Sequence, residues 1–101
     1  MPTFVTIGYG DRAGYDKTPQ VLRDAAHKQD AVLQRRGAVM GVAGDPVQVR
    51  NTNAASLETS AGPFMQAHLP VAGFAIIEAT NIEEAIKLVS GTPCPVANGV
   101  V

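Results

Sequence analysis

Residues 71–77 read VAGFAII, apolar at every position. Successive side chains of a strand point to opposite faces, so Val71, Ala75 and Ile77 fall on one side and Ala72, Phe74 and Ile76 on the other. A strand that is apolar on both sides is predicted to lie centrally in a sheet and to be covered twice. The pattern then changes to a helical one. Asn81 offers its side chain to the free N–H groups of a first turn, Glu84 completes a variant of the capping box, and Gly91 and Pro93 end the helix. Ile82, Ala85, Ile86 and Val89 form its apolar stripe, with Glu83 and Lys87 paired on the exposed side.

The earlier chain follows the same logic. Residues 3–9, TFVTIGY, alternate and read as a first strand. The GDRAGYD that follows reads as a loop, with Thr18-Pro19 as cap and first-turn proline of a helix running to about Arg36 and stopped by Gly37. Its predicted inward stripe is Leu22, Ala25, Ala26, Gln29, Val32 and Leu33. Residues 38–43 form a second strand, Gly44-Asp45-Pro46 a turn, 47–50 a third strand, and 56–59 a fourth, short one. The tail, residues 96–101, is predicted to form a last strand. This order describes an α+β domain spanning residues 1–101, a ferredoxin-like antiparallel sheet with two helices on one face. The other face is then bare. A second copy, packed sheet against sheet, is its expected cover, so the chain is expected to be a homodimer.

Composition narrows the functional classes. A net charge of −1 provides no basic footprint for nucleic acid and no polybasic patch for a membrane surface. No run approaches membrane-spanning length, and residues 1–11 lack the charged and apolar regions of a secretion signal. The single cysteine, Cys94, has no internal disulfide partner, which fits a reducing compartment. The expected location is cytoplasmic.

Three features together resemble the YCII-related family, in the branch named for an Asp-Gly-Pro-Phe turn. They are Gly62-Pro63-Phe64, the strand containing Gly73-Phe74, and Asn81-Ile82-Glu83-Glu84-Ala85 opening the helix. The resemblance is close over residues 62–91 and loose over the rest. It implies a dimeric α/β barrel built from ferredoxin-like subunits. It also implies an acid–base pair made of a histidine on the first helix and the aspartate that opens the turn. Here that aspartate is replaced by Ala61.

The candidate chemistry is correspondingly sparse. His27 matches the family histidine when the count runs back from Gly44, whereas a count from Gly37 puts Ala26 there. On a helical wheel His27 falls opposite Leu22 and Leu33, on the solvent side, where Asp30 is placed to pair with it. A cleft acid–base role and a solvated helix histidine both stand. His68, between Phe64 and the apolar strand, is a second catalytic candidate that would replace the missing acid; its bland reading is an exposed loop histidine. The resemblance implies that Tyr9 and Asp11 line the mouth of a cleft, a flexible strand-to-helix loop being the other reading; Phe64 is expected in the core or the cleft wall and Asp45 near the cleft, and these four are the substrate-binding candidates. Gly8, Gly10 and Ala13 imitate a dinucleotide turn, but the predicted helix starts too late, and no cofactor is expected. His27, His68 and Asp11 have no close ligand spacing, and no metal is expected. Arg23, Arg35 and Arg36 read as a solvated helix face, with Arg23 placed to meet an anionic ligand, and Cys94 as inert. Three functional classes follow. One is a small enzyme performing proton transfer or elimination on a small organic substrate; the second is a non-catalytic small-molecule-binding or sensing domain; the third is a structural or partner-binding module.

Overall fold

A computed structural model describes residues 1–101. The chain runs β1 (Thr3–Tyr9), α1 (Arg12–Lys17), α2 (Gln20–Arg35), β2 (Val39–Val42), β3 (Val47–Asn51), a 3-10 turn at Thr52–Ala54, β4 (Leu57–Ala61), β5 (Val71–Glu78), α3 (Ile82–Ser90) and α4 (Pro93–Val96). The doubly apolar strand β5 is central: it pairs antiparallel with β1 on one side and β2 on the other. β3 and β4 form a separate two-stranded hairpin. The result is a small α+β domain with antiparallel sheets and four helices, compatible with a ferredoxin-like fold.

The helices cover one face of the three-stranded sheet, and the core lies beneath them. Ala75, Ile77, Ala79 and Ala85 are its buried cluster, with Phe4, Met40, Leu88 and Val89 packed against it. Only 10 of 101 residues are buried, and Leu33 is the largest fully buried side chain, so the core is thin. The opposite face is bare. Pairing aligns Val5 and Val39 with Ile76, and Ile7 with Phe74, whose ring lies over Gly41. In the single chain these five apolar side chains are 38–69% exposed. The expected bare face is therefore present.

Several local expectations change. Residues 12–17 form a helix rather than a loop, because the Asp11 side chain accepts the N–H of Gly14 (2.8 Å) and caps it. Thr18 ends this helix instead of starting the next: its hydroxyl donates to the carbonyl of Gly14 (3.0 Å), and Pro19 flanks α2 without a side-chain cap. The inward positions of α2 are Ala26 and Leu33, with Arg23, Gln29 and Asp30 half-buried, while Leu22 is 49% exposed. Gln29 Nε2 donates to the carbonyl of Leu88 (2.8 Å), and this polar bridge to α3 accounts for an inward glutamine. On α3 the buried side is Ala85, with Leu88 and Val89 half-buried, whereas Ile82 and Ile86 of the expected stripe are exposed.

The cap of α3 forms as read from the sequence, with Asn81 Oδ1 accepting from the N–H of Glu84 (2.9 Å). Glu84 reaches back one residue further than a standard box, accepting from Thr80 N–H and hydroxyl (3.1 and 3.0 Å). The expected Glu83–Lys87 pair is not formed; Glu84 lies 3.9 Å from Arg36 instead. The tail is not a strand. Pro93 opens the short α4, and pairing with β1 shrinks to one bridge in which Tyr9 and Val100 exchange both backbone hydrogen bonds (2.7 and 2.9 Å). Gly99 lets the tail come this near: a Cβ there would collide with the carbonyl oxygens of Tyr9 and Cys94. No helix is long and apolar enough to cross a membrane.

Candidate functional site

On the helix side, where the three strands run out at Gly8, Val42 and Gly73, a cavity of about 590 Å³ opens between the sheet end and helices α1, α2 and α4. Its size falls within the range of small-molecule sites. Met40, Ala75, Leu33 and Val89 give it an apolar floor, and Asp11, Arg12, Tyr15, His27, Asp30 and Cys94 supply its polar groups.

Two helices bring the central pair together. Capped by Asp11, α1 carries Tyr15 one turn along, and α2 carries His27 two turns from its start. The Tyr15 hydroxyl and His27 Nε2 form a hydrogen bond of 2.9 Å, with the rings edge to face at 6.0 Å between centroids. The Arg23 guanidinium lies 4.9 Å from the centroid of the same Tyr15 ring, a cation–π contact, and its Nε is buried without a hydrogen-bond partner. Arg23 is thus packed into the helix pair rather than solvated.

Asp30 lies one turn beyond His27, half-buried in the cavity wall rather than paired with it at the surface. Burial raises its carboxyl above the ordinary range, and the nearby His27 pulls it partly back. Cys94, from α4, is also half-buried. Burial, and secondarily the Asp30 charge, push its thiol upward, so it stays protonated and is a poor nucleophile.

Of the catalytic and substrate-binding candidates named from sequence, the cavity gathers Asp11 and His27. Asp11 is engaged in capping, and His27 in the bond to Tyr15. Tyr9 belongs to β1 and meets the tail through its backbone; its side chain is not among the groups lining the cavity. Phe64 is 68% exposed and stacks under Arg50 at 5.4 Å, beside the hairpin. Asp45 and His68 are exposed on the two connections that flank the hairpin. No three His, Cys, Asp or Glu side chains come together as a metal set. Sequence reasoning missed Tyr15 and Asp30 as site residues. The chain matches no protein-family model and no curated protein.

Proposed function

We propose that the cavity binds a small, largely apolar organic molecule and exchanges a proton with it through His27 and Tyr15. The observation that carries this reading is the 2.9 Å bond between the phenol and the imidazole at the edge of a pocket with an apolar floor. A ligand that displaces the phenol from Nε2 leaves a free imidazole base beside a hydroxyl donor. The base takes a proton from an acidic C–H bond of the ligand, and the electron pair moves onto a ligand oxygen that accepts a hydrogen bond from Tyr15. Where the ligand carries a leaving group next to that carbon, the pair expels it, giving an elimination.

This chemistry agrees with the YCII-related resemblance, in which a first-helix histidine works with an acid. The turn acid is Ala61 here, and Asp30, on the same helix as His27, offers the carboxyl nearest in role. The resemblance and the bare sheet face together support a homodimer joined sheet against sheet, a dimeric α/β barrel. The single thiol and the lack of a basic surface favour a cytoplasmic setting without nucleic-acid partners.

Deuterium uptake tests the chemistry. A panel of small carbonyl compounds is incubated with the protein in D2O and followed by NMR, beside His27→Ala and Tyr15→Phe. Exchange that disappears in both folded variants supports proton transfer. A compound that raises the melting temperature of all three proteins without exchange supports the second reading, a binding or sensing domain, to which the loss of the acid at Ala61 also points. Failure of every compound to bind or exchange overturns both.

A further inference from the structure

The β3–β4 hairpin is amphipathic, yet its own chain gives its apolar side nothing to pack on. The register places Val47, Val49, Leu57 and Ala61 on one face, with Thr59 and Asn51 among them, and Gln48, Arg50, Glu58 and Ser60 on the other. The polar face is occupied by the turn that follows: Gln48 Nε2 donates to the carbonyls of Gly62 and Pro63 (3.3 and 3.4 Å), and Arg50 covers the Phe64 ring. The apolar face is open, with Val47, Val49 and Leu57 63%, 66% and 69% exposed. Alternation of this kind, clean along Val47–Arg50, normally means that one face is buried. A lone hairpin is marginally stable in water at best.

The dimensions of the chain say how much surface awaits a partner. Its accessible surface is 7154 Å², whereas a folded monomer of 10.5 kDa is expected to expose about 5,400 Å². Its radius of gyration is 15.8 Å, against about 13 Å for a compact chain of this length. The surplus is about 1,700 Å² per chain, and removing it from two chains buries about 3,400 Å² in all, within the range of obligate dimers. The hairpin face and the bare sheet both contribute apolar area to that surplus, alongside exposed side chains elsewhere such as Val21, Met65 and Ile86.

We infer that the hairpin is an exchanged arm: it reaches across the dimer and lays Val47, Val49 and Leu57 on the bare β1–β5–β2 face of a second copy, beyond the rows where the two sheets meet. The inference rests on the sheet-to-sheet dimer proposed above. Both legs of the arm leave from the end of the sheet at which Val42 pairs with Gly73, so it projects as one unit. Each five-residue strand extends about 17 Å, enough to lie along most of a partner strand. Two-fold symmetry makes the contact reciprocal and closed.

Photo-cross-linking in the full chain tests it. Val49 is replaced by p-benzoylphenylalanine, and the protein is mixed with a 15N-labelled copy and irradiated. Cross-links between labelled and unlabelled chains are expected on peptides holding residues 3–9 or 71–78. In parallel, Val49→Asp is expected to raise the dimer dissociation constant roughly tenfold or more, because a charge is buried without a partner, while the circular dichroism of the chain is retained. Cross-links confined to the same chain or falling on α3 of the second copy, or a Val49→Asp dimer as tight as the parent, overturn the arm and leave the sheet-to-sheet dimer standing. A parent protein that sediments as a monomer at micromolar concentration overturns both.

Discussion

The Tyr15 hydroxyl and His27 Nε2 stand 2.9 Å apart and tie a one-and-a-half-turn helix to the long helix that follows it. The bond fixes the orientation of the ring and selects which imidazole nitrogen faces the phenol. Tyr15→Phe removes it without removing the aromatic body that packs under Arg23. The expected outcome is a change in the His27 15N shifts that report its tautomer, with a stability loss of no more than about 1 kcal/mol, since the bond is exposed. Unchanged shifts would mean that the bond does not hold in solution.

Asp30 makes stability depend on pH in an unusual direction. Its folded carboxyl is raised, chiefly by burial and against the pull of His27, so the folded chain holds this proton more tightly than the unfolded chain does. Its unfavourable contribution is absent below the unfolded pKa. It grows as pH rises through the window up to the folded pKa and is complete above it. Asp30→Asn is therefore expected to stabilise the protein at neutral pH, and the gain should fade on acidification through the carboxylate range. Urea unfolding of both proteins across that range measures the difference.

Glu84 runs the opposite way. Its carboxyl is held below the ordinary range, first by the Thr80 backbone N–H and then by the Thr80 hydroxyl. Its contribution is present above the unfolded pKa and is lost as pH falls through the folded one. The cap itself is tested at Asn81, whose Oδ1 accepts the Glu84 N–H. Asn81→Ala should cost about 1 kcal/mol in denaturant unfolding and fray the first turn of α3 in hydrogen exchange.

Gly99 provides a steric test. A methyl group there runs into the carbonyl oxygens of Tyr9 and Cys94, so Gly99→Ala must push the tail away from β1. The expected cost is about 1–3 kcal/mol, with faster exchange of the Tyr9 and Val100 amides, each of which donates to the other residue's carbonyl. Slow exchange at both amides in the variant would contradict the close approach.

The strands and the α3 cap were legible because each depends on local pattern. VAGFAII is apolar on both faces wherever it is placed, and Asn81 with Glu84 carries its own hydrogen-bond logic. The site was less legible because it depends on α1. The sequence RAGYDK holds a glycine in the middle and starts with no acidic residue, so it reads as a loop; the cap that turns it into a helix is Asp11, one position before it. With 12–17 read as a loop, Tyr15 had no place beside His27; the solvent-side placement of His27 itself holds, since its side chain is exposed while its Nε2 meets the Tyr15 hydroxyl. The wheel for α2 was also rotated, since Leu22 looked like a core residue and Asp30 like a surface one. The signal that would have corrected it is the spacing of Arg23, Ala26, Asp30 and Leu33 along one side, which mixed polarity concealed. The tail misled for a similar reason: its valines suggest a strand, but two prolines start a helix there.

Five of the seven buried hydrophobic residues are alanines. Small side chains remove little apolar surface from water, so an isolated chain gains little from closing its core. Many of its large apolar groups are exposed, among them those of the bare sheet and the hairpin. In the proposed dimer, folding and assembly form a single equilibrium, so Tm is expected to rise with protein concentration, and the heat-capacity change of unfolding to exceed what one chain alone supplies; a Tm independent of concentration would count against the dimer.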